Sequence, residues 1–189
     1  MTESFIYCGI GSRDTPAEVL DSMKVVAAEL ATRGWMLRSG HAFGADQAFE
    51  TGALAVQGDA EIYLPWDGFN DGHHLLNSCI NAQALPNWNA AAKMAASFHP
   101  AWDKCARGAQ SLHTRNIYQI LGLDLRTPVN CVICWTRDGK ASGGTGQALR
   151  LAEYLEIPVF NLQNEDALTQ LADFVYNLEL AAAKEKVAQ

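Results

Sequence analysis

The sequence predicts an α/β protein whose doubly wound, mainly parallel sheet has about five strands, with helices on both faces and a helical and loop insertion after the third strand. Two observations support this prediction. Short apolar runs alternate with helical patterns before residue 66 and again after residue 128, and glycine-bearing turns follow three of those runs. Strands that alternate with helices pair in parallel through right-handed crossovers.

The first part of the chain contains three predicted strands and two predicted helices. Residues 5–8 form an apolar run that predicts the first strand. A helix begins near Thr15-Pro16, because proline is favoured in the first helical turn, and ends at Gly34. The other elements are a strand over 35–37, a helix over 45–56 and a strand over 61–65.

The pattern resumes after the insertion, and we treat 1–189 as one domain because its length suits one. The elements predicted here are a strand over 131–135, a helix over 147–155, a strand over 158–160, and a closing helix with a frayed tail over about 180–189. The insertion, about 66–128, opens with a Gly-, Asn-, Asp- and His-rich loop and continues with helices near 87–97 and 108–121.

Charge and hydropathy exclude several classes of protein. The net charge is -7, from 14 Lys+Arg against 21 Asp+Glu, which argues against a protein that mainly coats nucleic acid. The segment 93–126 is the basic part, with five basic and two acidic residues, and it is a candidate cover for an anionic ligand or a solvated helical face. Since no long apolar segment or secretory leader is visible, we expect a cytoplasmic protein without a membrane partner.

The cysteines and histidines do not predict a metal site. Five scattered cysteines indicate reduced thiols. Cys131 and Cys134 lie three apart on a predicted strand, so they face opposite sides of the sheet. His73-His74 has no second ligand pair at metal spacing, and Cys105 has no activating motif beside it. We therefore expect no metal and no cofactor.

Three glycine-bearing turns carry the functional signal. They follow predicted strands at 9–13, 39–46 and 142–147. In a parallel sheet such turns meet at one edge, where ligands bind. The helices that follow them expose unpaired N–H groups and the positive end of the helix dipole, which suits phosphate.

These turns resemble those of the SMF/DprA–LOG (SLOG) superfamily, and more narrowly the small DprA-like proteins often encoded by bacteriophages. The matching motifs are Gly11-Ser12-Arg13, Ser39-Gly40-(x)3-Gly44-Ala45-Asp46 and Gly143-Gly144-Thr145, within residues 4–65 and 129–162. The resemblance implies a Rossmann-like sheet that binds nucleotides or nucleotide-derived molecules. Some members cleave N-glycosidic bonds of nucleoside monophosphates, some bind single-stranded DNA and some sense ADP-ribose-like signals. Self-association is common among them, so we expect a homo-oligomer.

One departure from the superfamily bears on catalysis. The phosphoribohydrolase branch carries P-G-G-x-G-T-x-x-E, but Gln147 replaces its threonine and Arg150 its glutamate here. A hydrolase needs a carboxylate near the anomeric carbon. Asp46 and Glu50, four residues apart on one helix face, are the candidate catalytic substitutes, or they simply complement the helix dipole.

Each remaining candidate has a structural alternative to its ligand role. Arg13 can grip phosphate or stay exposed, Ser12 and Thr145 can donate to phosphate or cap helices, and Trp135 can stack on a base or pack in the core. His99, His113 and Arg115 can reach in from the insertion. The predicted ligand-binding set is Gly11, Ser12, Arg13, Ser39, Gly40, Gly44, Asp46, Trp135, Gly143, Gly144, Thr145 and Gly146, with His99 and Arg115 from the insertion.

Three functions remain open at this stage. The first is binding of a nucleotide or nucleotide-derived metabolite, to sequester or sense it. The second is hydrolysis of a nucleotide N-glycosidic bond, which would make the protein an enzyme. The third is DprA-like binding of single-stranded DNA, which needs a basic surface that only the insertion offers.

Overall fold

A computed structural model describes residues 5–74 and 78–187, and within these ranges six strands form one sheet whose strands all run parallel. The strands are β1 (Ile6–Gly11), β2 (Met36–Ser39), β3 (Ala60–Leu64), β4 (Cys79–Asn81), β5 (Cys131–Trp135) and β6 (Val159–Asn161). Their order across the sheet is β4-β3-β2-β1-β5-β6. Successive strands are added on one side of β1 as far as β4 and then on its other side from β5, so the strand order reverses between β1 and β5. This is the switch point where such sheets bind ligands.

Helices cover both faces of the sheet, as the sequence predicted. They are α1 (Ala17–Thr32), α2 (Ala45–Ala55), α3 (Trp88–Ser97), α4 (Arg107–Leu121), α5 (Gly146–Tyr154) and α6 (Ala167–Val187). On one face of the sheet, α1, α2 and α6 pack in a first hydrophobic core cluster. On the opposite face, α3, α4 and α5 pack in a second hydrophobic core cluster. None of the helices in the described ranges is both long enough and apolar enough to cross a membrane.

The buried strand β5 shows why both faces need cover. All five of its residues are buried, and they alternate between the two core clusters: Cys131 packs in the first and Cys134 in the second. Successive side chains of a strand point to opposite faces, so these two thiols are separated by the sheet. All five cysteines are free.

The insertion contributes more to the fold than the sequence indicated. It supplies a sixth strand, β4, so the predicted number of about five was one too low. β4 has only three half-buried residues, too few to show a hydrophobic period. The insertion also supplies α3 and α4, whose buried residues form part of the second core cluster. The closing helix continues to Val187, beyond the point where fraying was expected.

Candidate functional site

A cavity of about 610 Å³ lies at the carboxyl ends of β1 and β5. The turn after β1, the turn before α5 and one side of α4 form its walls, and Ala42 and Asp46 contribute from the turn after β2 and the start of α2. Topology therefore brings two distant parts of the chain and the insertion to one crevice, as expected at a switch point.

Hydrogen bonds within the turn after β1, and one to the end of β5, hold that turn in place. The Ser12 N–H donates to the Trp135 carbonyl at 3.1 Å, and the Thr15 hydroxyl donates to the Ser12 carbonyl at 2.7 Å. The Ser12 hydroxyl accepts the Asp14 N–H at 3.1 Å. The side chain of Arg13 is exposed at the cavity wall. Of this turn, the Arg13 guanidinium is the group best placed to grip an anion.

Two glycines of the second turn are closely approached by other parts of the protein. A Cβ on Gly44, whose φ is +85°, would lie 2.7 Å from the Ser12 carbonyl oxygen. A Cβ on Gly40 would lie 1.1 Å from Nη1 of Arg115. These two glycines therefore let the first turn and the Arg115 side chain approach the backbone, and neither lines the cavity.

The third turn offers unused backbone donors at the N-terminus of α5. Within the described part of the chain, the N–H groups of Gly143, Gly144 and Thr145 make no hydrogen bond. A Cβ built on Gly143 or Gly144 meets no heavy atom within 4 Å, so this wall is open. Unpaired amides at a helix start, reinforced by the helix dipole, form an anion-binding surface.

Arg150, which replaces the glutamate of the phosphoribohydrolase motif, supports the third turn from behind. Its Nε donates to the Phe98 carbonyl at 2.7 Å and its Nη1 to the Ala141 carbonyl at 3.1 Å. Gly146 packs tightly here too, because a Cβ would lie 2.6 Å from the Ala141 oxygen. Arg150 thus ties the turn to the insertion and does not line the cavity.

A buried ion pair forms the floor of the cavity. Nη1 of Arg115 lies 3.2 Å from Oδ2 of Asp46, and both residues are at most 4% exposed. The Ala42 N–H also donates to this carboxylate at 3.4 Å. Burial raises the pKa of Asp46 to about 6, although the Arg115 charge opposes that shift. Burial likewise lowers the pKa of Arg115.

Glu50 supports the second turn rather than facing the cavity. It accepts the His41 N–H at 2.8 Å, and its other oxygen lies 2.5 Å from Nδ1 of the same histidine. His41 has a φ of +59°, a conformation that non-glycine residues rarely adopt. The hydrogen bond with Glu50 raises the pKa of His41. Both carboxylate oxygens of Glu50 are therefore committed to holding this turn.

Several buried polar atoms around the cavity lack partners among the described residues. They include Nε of Arg115, both amide atoms of Gln119, Nδ1 of His113 and Nε2 of Gln147. Arg115, Gln119 and His113 line the cavity, each at most 8% exposed. Buried groups of this kind are normally satisfied, so polar atoms left unpartnered around a cavity indicate a ligand or bound water.

The structure separates the predicted site residues into two groups. The cavity is lined by Gly11, Ser12, Arg13, Asp46, Arg115, Gly143, Gly144 and Thr145. Ser39, Gly40, Gly44, Glu50, Trp135, Gly146 and His99 lie elsewhere. The Ser39 hydroxyl donates to the Gly9 carbonyl at 2.8 Å, and Trp135 packs in the first core cluster. Trp135 therefore has the structural role that the sequence left as the alternative, and Ser39, for which the sequence suggested only a ligand role, bonds the backbone of β1.

The sequence prediction missed part of the cavity lining, including two polar residues of α4. The additional lining residues with polar side chains are Asp14, Asn116, Gln119, Thr136, Arg137 and Ser142, whereas His113, which the sequence suggested could reach in, also lines the cavity. A signal was present: the polar run 113–116 stands directly before an apolar segment in a predicted helix, which is unusual on a solvated face. The side chains of His73 and His74 lie outside the described part of the structure.

No protein-family model matches this chain, and no curated protein matches it in sequence. Solved structures with a similar fold include two proteins with different described roles. DNA processing protein A (DprA) of Helicobacter pylori, described for its single-stranded DNA binding mode, is 18% identical over 91% of this chain and 73% of its own, with a TM-score of 0.56. The Moco carrier protein of Chlamydomonas reinhardtii is 18% identical over 99% of this chain and 100% of its own, with a TM-score of 0.51.

This chain has a Rossmann-like fold, which it shares with DprA and the Moco carrier protein. The SLOG resemblance predicted from the three turns is therefore confirmed at the level of the fold. The narrower likeness to bacteriophage-encoded proteins stays a prediction. The three predicted phosphate-binding turns all contribute residues to one cavity, and the third lines it with three consecutive residues whose N–H groups have no partner in the described part of the chain.

Proposed function

We propose that the cavity binds a nucleotide or nucleotide-derived metabolite through its phosphate groups. The observation that carries the proposal is the row of unused N–H groups at Gly143, Gly144 and Thr145, which shares one cavity with Arg13 and Arg115. Amides at a helix start and guanidinium groups are the donors that proteins use for phosphate. A cavity of about 610 Å³ also has the size of a small-molecule site.

The local charge supports an anionic ligand. Three arginines (Arg13, Arg115 and Arg137) and two aspartates (Asp14 and Asp46) line the cavity, for a formal balance of +1. The whole chain carries -7. A cationic concavity in an acidic protein concentrates anions where they bind and repels them elsewhere.

The similar structures support ligand binding in two different forms. One is named as a carrier of Moco, which favours small-molecule binding, and the other is described for binding single-stranded DNA. Exposed arginines at the cavity wall would serve either ligand. We favour the small molecule because the acidic surface opposes extended backbone binding, which depends on many cationic contacts.

The hydrogen bonds of the two candidate catalytic carboxylates favour binding of the ligand without cleavage. Asp46 is paired with Arg115 and Glu50 with His41, so neither is free to orient water. The hydrolase alternative therefore depends on Asp46 leaving its arginine when a ligand enters. If it does so, free base accumulates with time in chromatographic assays, and Asp46→Asn abolishes it. Recovery of intact ligand rejects hydrolysis.

Isothermal titration calorimetry with AMP, ADP-ribose and NAD tests the proposal, with adenosine as the phosphate-free control. We expect at least one phosphorylated compound to bind and adenosine to bind far more weakly. Arg13→Ala removes one charge-assisted hydrogen bond, about 1.5–3 kcal/mol, and weakens affinity roughly 10- to 100-fold. The matched control is Arg126→Ala, another exposed arginine, which does not line the cavity.

The outcomes separate the three functions. Absence of binding to the whole panel, or equal affinity in Arg13→Ala and Arg126→Ala, rejects the proposed site. Tight, salt-sensitive binding of an oligothymidylate in place of the mononucleotides favours the DNA alternative. The homo-oligomeric state predicted from the resemblance is measured in the same preparations by light scattering.

A further inference from the structure

A cluster of soft metal ligands lies beside the cavity. One ligand atom each from His99, Cys105 and His113 lies within 4.8 Å of the other two. Sγ of Cys105 is 3.7 Å from both ring nitrogens of His99, and the rings of His99 and His113 are 4.4 Å apart between centroids. All three belong to the insertion, and no other described part of the chain gathers three such groups.

The spacing approaches that of a metal centre. Bonds of about 2.3 Å to sulfur and about 2.0–2.1 Å to nitrogen at tetrahedral angles place ligand atoms about 3.3–3.6 Å apart. The observed sulfur–nitrogen distance of 3.7 Å is already close to that value. Two imidazoles with one thiolate form a donor set suited to zinc rather than to magnesium or calcium.

His113 provides a second, independent observation. It is 8% exposed, and its Nδ1 is buried with no hydrogen-bond partner among the described residues. A neutral imidazole normally orients both nitrogens toward partners. A metal ion coordinated by Nδ1 would supply this nitrogen with a partner.

His99 needs one local change to coordinate. Its Nδ1 accepts the Ala101 N–H at 3.2 Å, and Ala101 also offers its carbonyl to the Cys105 thiol at 3.5 Å. Coordination through Nδ1 exchanges the first of these long hydrogen bonds for a metal bond. Deprotonation of the Cys105 thiol on binding removes the second, with the proton released to solvent.

We propose that His99, Cys105 and His113 form a binding site for a zinc-type divalent cation. His113 also lines the cavity, so the ion sits at the cavity edge. Three protein ligands leave one coordination position for water or for an oxygen of a bound molecule, as in zinc sites that remain open. The proposal does not depend on the nucleotide function, because His99 and Cys105 do not line the cavity and the cluster can bind an ion without a nucleotide.

Cobalt(II) titration of the metal-stripped full-length protein, without nucleotide, tests the site. We expect one equivalent to bind with tetrahedral visible bands and a near-ultraviolet band from cysteinate to cobalt, both lost on adding zinc. Cys105→Ser removes the cysteinate band and weakens binding by more than the roughly 10- to 100-fold loss typical of outer-shell changes. His99→Ala weakens binding similarly. Cys79→Ser, at another half-buried thiol, leaves both unchanged.

Alkylation provides a readout that needs no variant. We expect zinc to slow iodoacetamide labelling of Cys105 in the wild-type protein, read by peptide mass spectrometry, and to leave labelling of Cys79 unaffected. The proposal is overturned if cobalt does not bind, if the cysteinate band survives in Cys105→Ser, or if zinc leaves Cys105 labelling unchanged. The last result would assign Cys105 and His99 to a thiol–imidazole pair instead. Because no nucleotide is present, these results stand apart from those of the nucleotide titrations.

Discussion

The substitution Gly144→Ala should test the proposed phosphate contact without lowering the stability of the protein. An added Cβ meets no heavy atom within 4 Å, and the φ of Gly144 lies outside the left-handed region. The folded protein therefore accepts the methyl group without strain. Alanine also restricts the unfolded chain, so we expect stability to stay equal or to rise by up to about 1 kcal/mol.

The same methyl group would occupy the space through which, on the proposed function, a phosphate group reaches the amides of the third turn. Loss of one charge-assisted hydrogen bond costs about 1.5–3 kcal/mol, which corresponds to roughly 10- to 100-fold weaker binding. Isothermal titration with AMP and ADP-ribose measures this loss, and urea denaturation measures stability. The variant should thus separate the two quantities, with affinity lost and stability kept.

Gly108→Ala is the matched control. A Cβ there also meets nothing within 4 Å, but Gly108 lies in the first turn of α4 and does not line the cavity. We expect wild-type affinity in this variant. Equal affinity in Gly144→Ala and Gly108→Ala would refute the assignment of the third turn as the phosphate site, whatever ligand the protein binds.

Three further predictions concern an ion-paired carboxyl group, an arginine that supports the third turn and a core side chain. Burial raises the pKa of Asp46 from 3.8 to about 6. The free energy of unfolding of the wild type, relative to that of Asp46→Asn, should therefore be greatest below about pH 4 and fall by about 3 kcal/mol as the pH rises through about 6. Urea denaturation that gives the same difference between the two proteins at about pH 4 and about pH 8 would contradict this. Arg150→Met leaves the Phe98 and Ala141 carbonyls without their donor. We expect this to lower the free energy of unfolding by about 2 kcal/mol, or Tm by roughly 4–8 °C in calorimetry, and to weaken ligand binding because the third turn is less firmly held. An unchanged Tm would show that Arg150 does not support the third turn. Phe49→Ala empties a fully buried position and should lower the free energy of unfolding by about 3–5 kcal/mol in urea, and a loss below 1 kcal/mol would disprove tight packing there.

The order of strands and helices could be predicted because it depends on local patterns. The strand over 131–135 was placed at its observed bounds, since five apolar residues between turn signals leave little ambiguity. The opposite placement of Cys131 and Cys134 followed from the two-residue period of a strand. β4 escaped prediction because three half-buried residues pair with β3 through the backbone, which leaves no mark on side-chain type.

The roles of the glycines could be predicted only in part. All three turns have the composition of phosphate loops, but a glycine signals close approach without saying what approaches. At Gly40 the neighbour is the Arg115 guanidinium, and at Gly44 it is the backbone of the first turn. At Gly144 the space is empty. Only the packed structure distinguishes a glycine that accommodates the protein from one that leaves room for a ligand.

The sequence by itself determined the α/β class, the parallel sheet and the edge at which its turns gather, because hydrophobic period and turn chemistry act over a few neighbouring residues. Tertiary structure alone decided that Arg115 reaches Asp46 from the insertion, that Glu50 bonds His41, and that His99, Cys105 and His113 come together. These contacts join residues that are separated along the chain or whose positions depend on how α4 packs. The local sequence does not determine how far a helix is rotated about its axis, and so does not determine which of its side chains face the edge of the sheet.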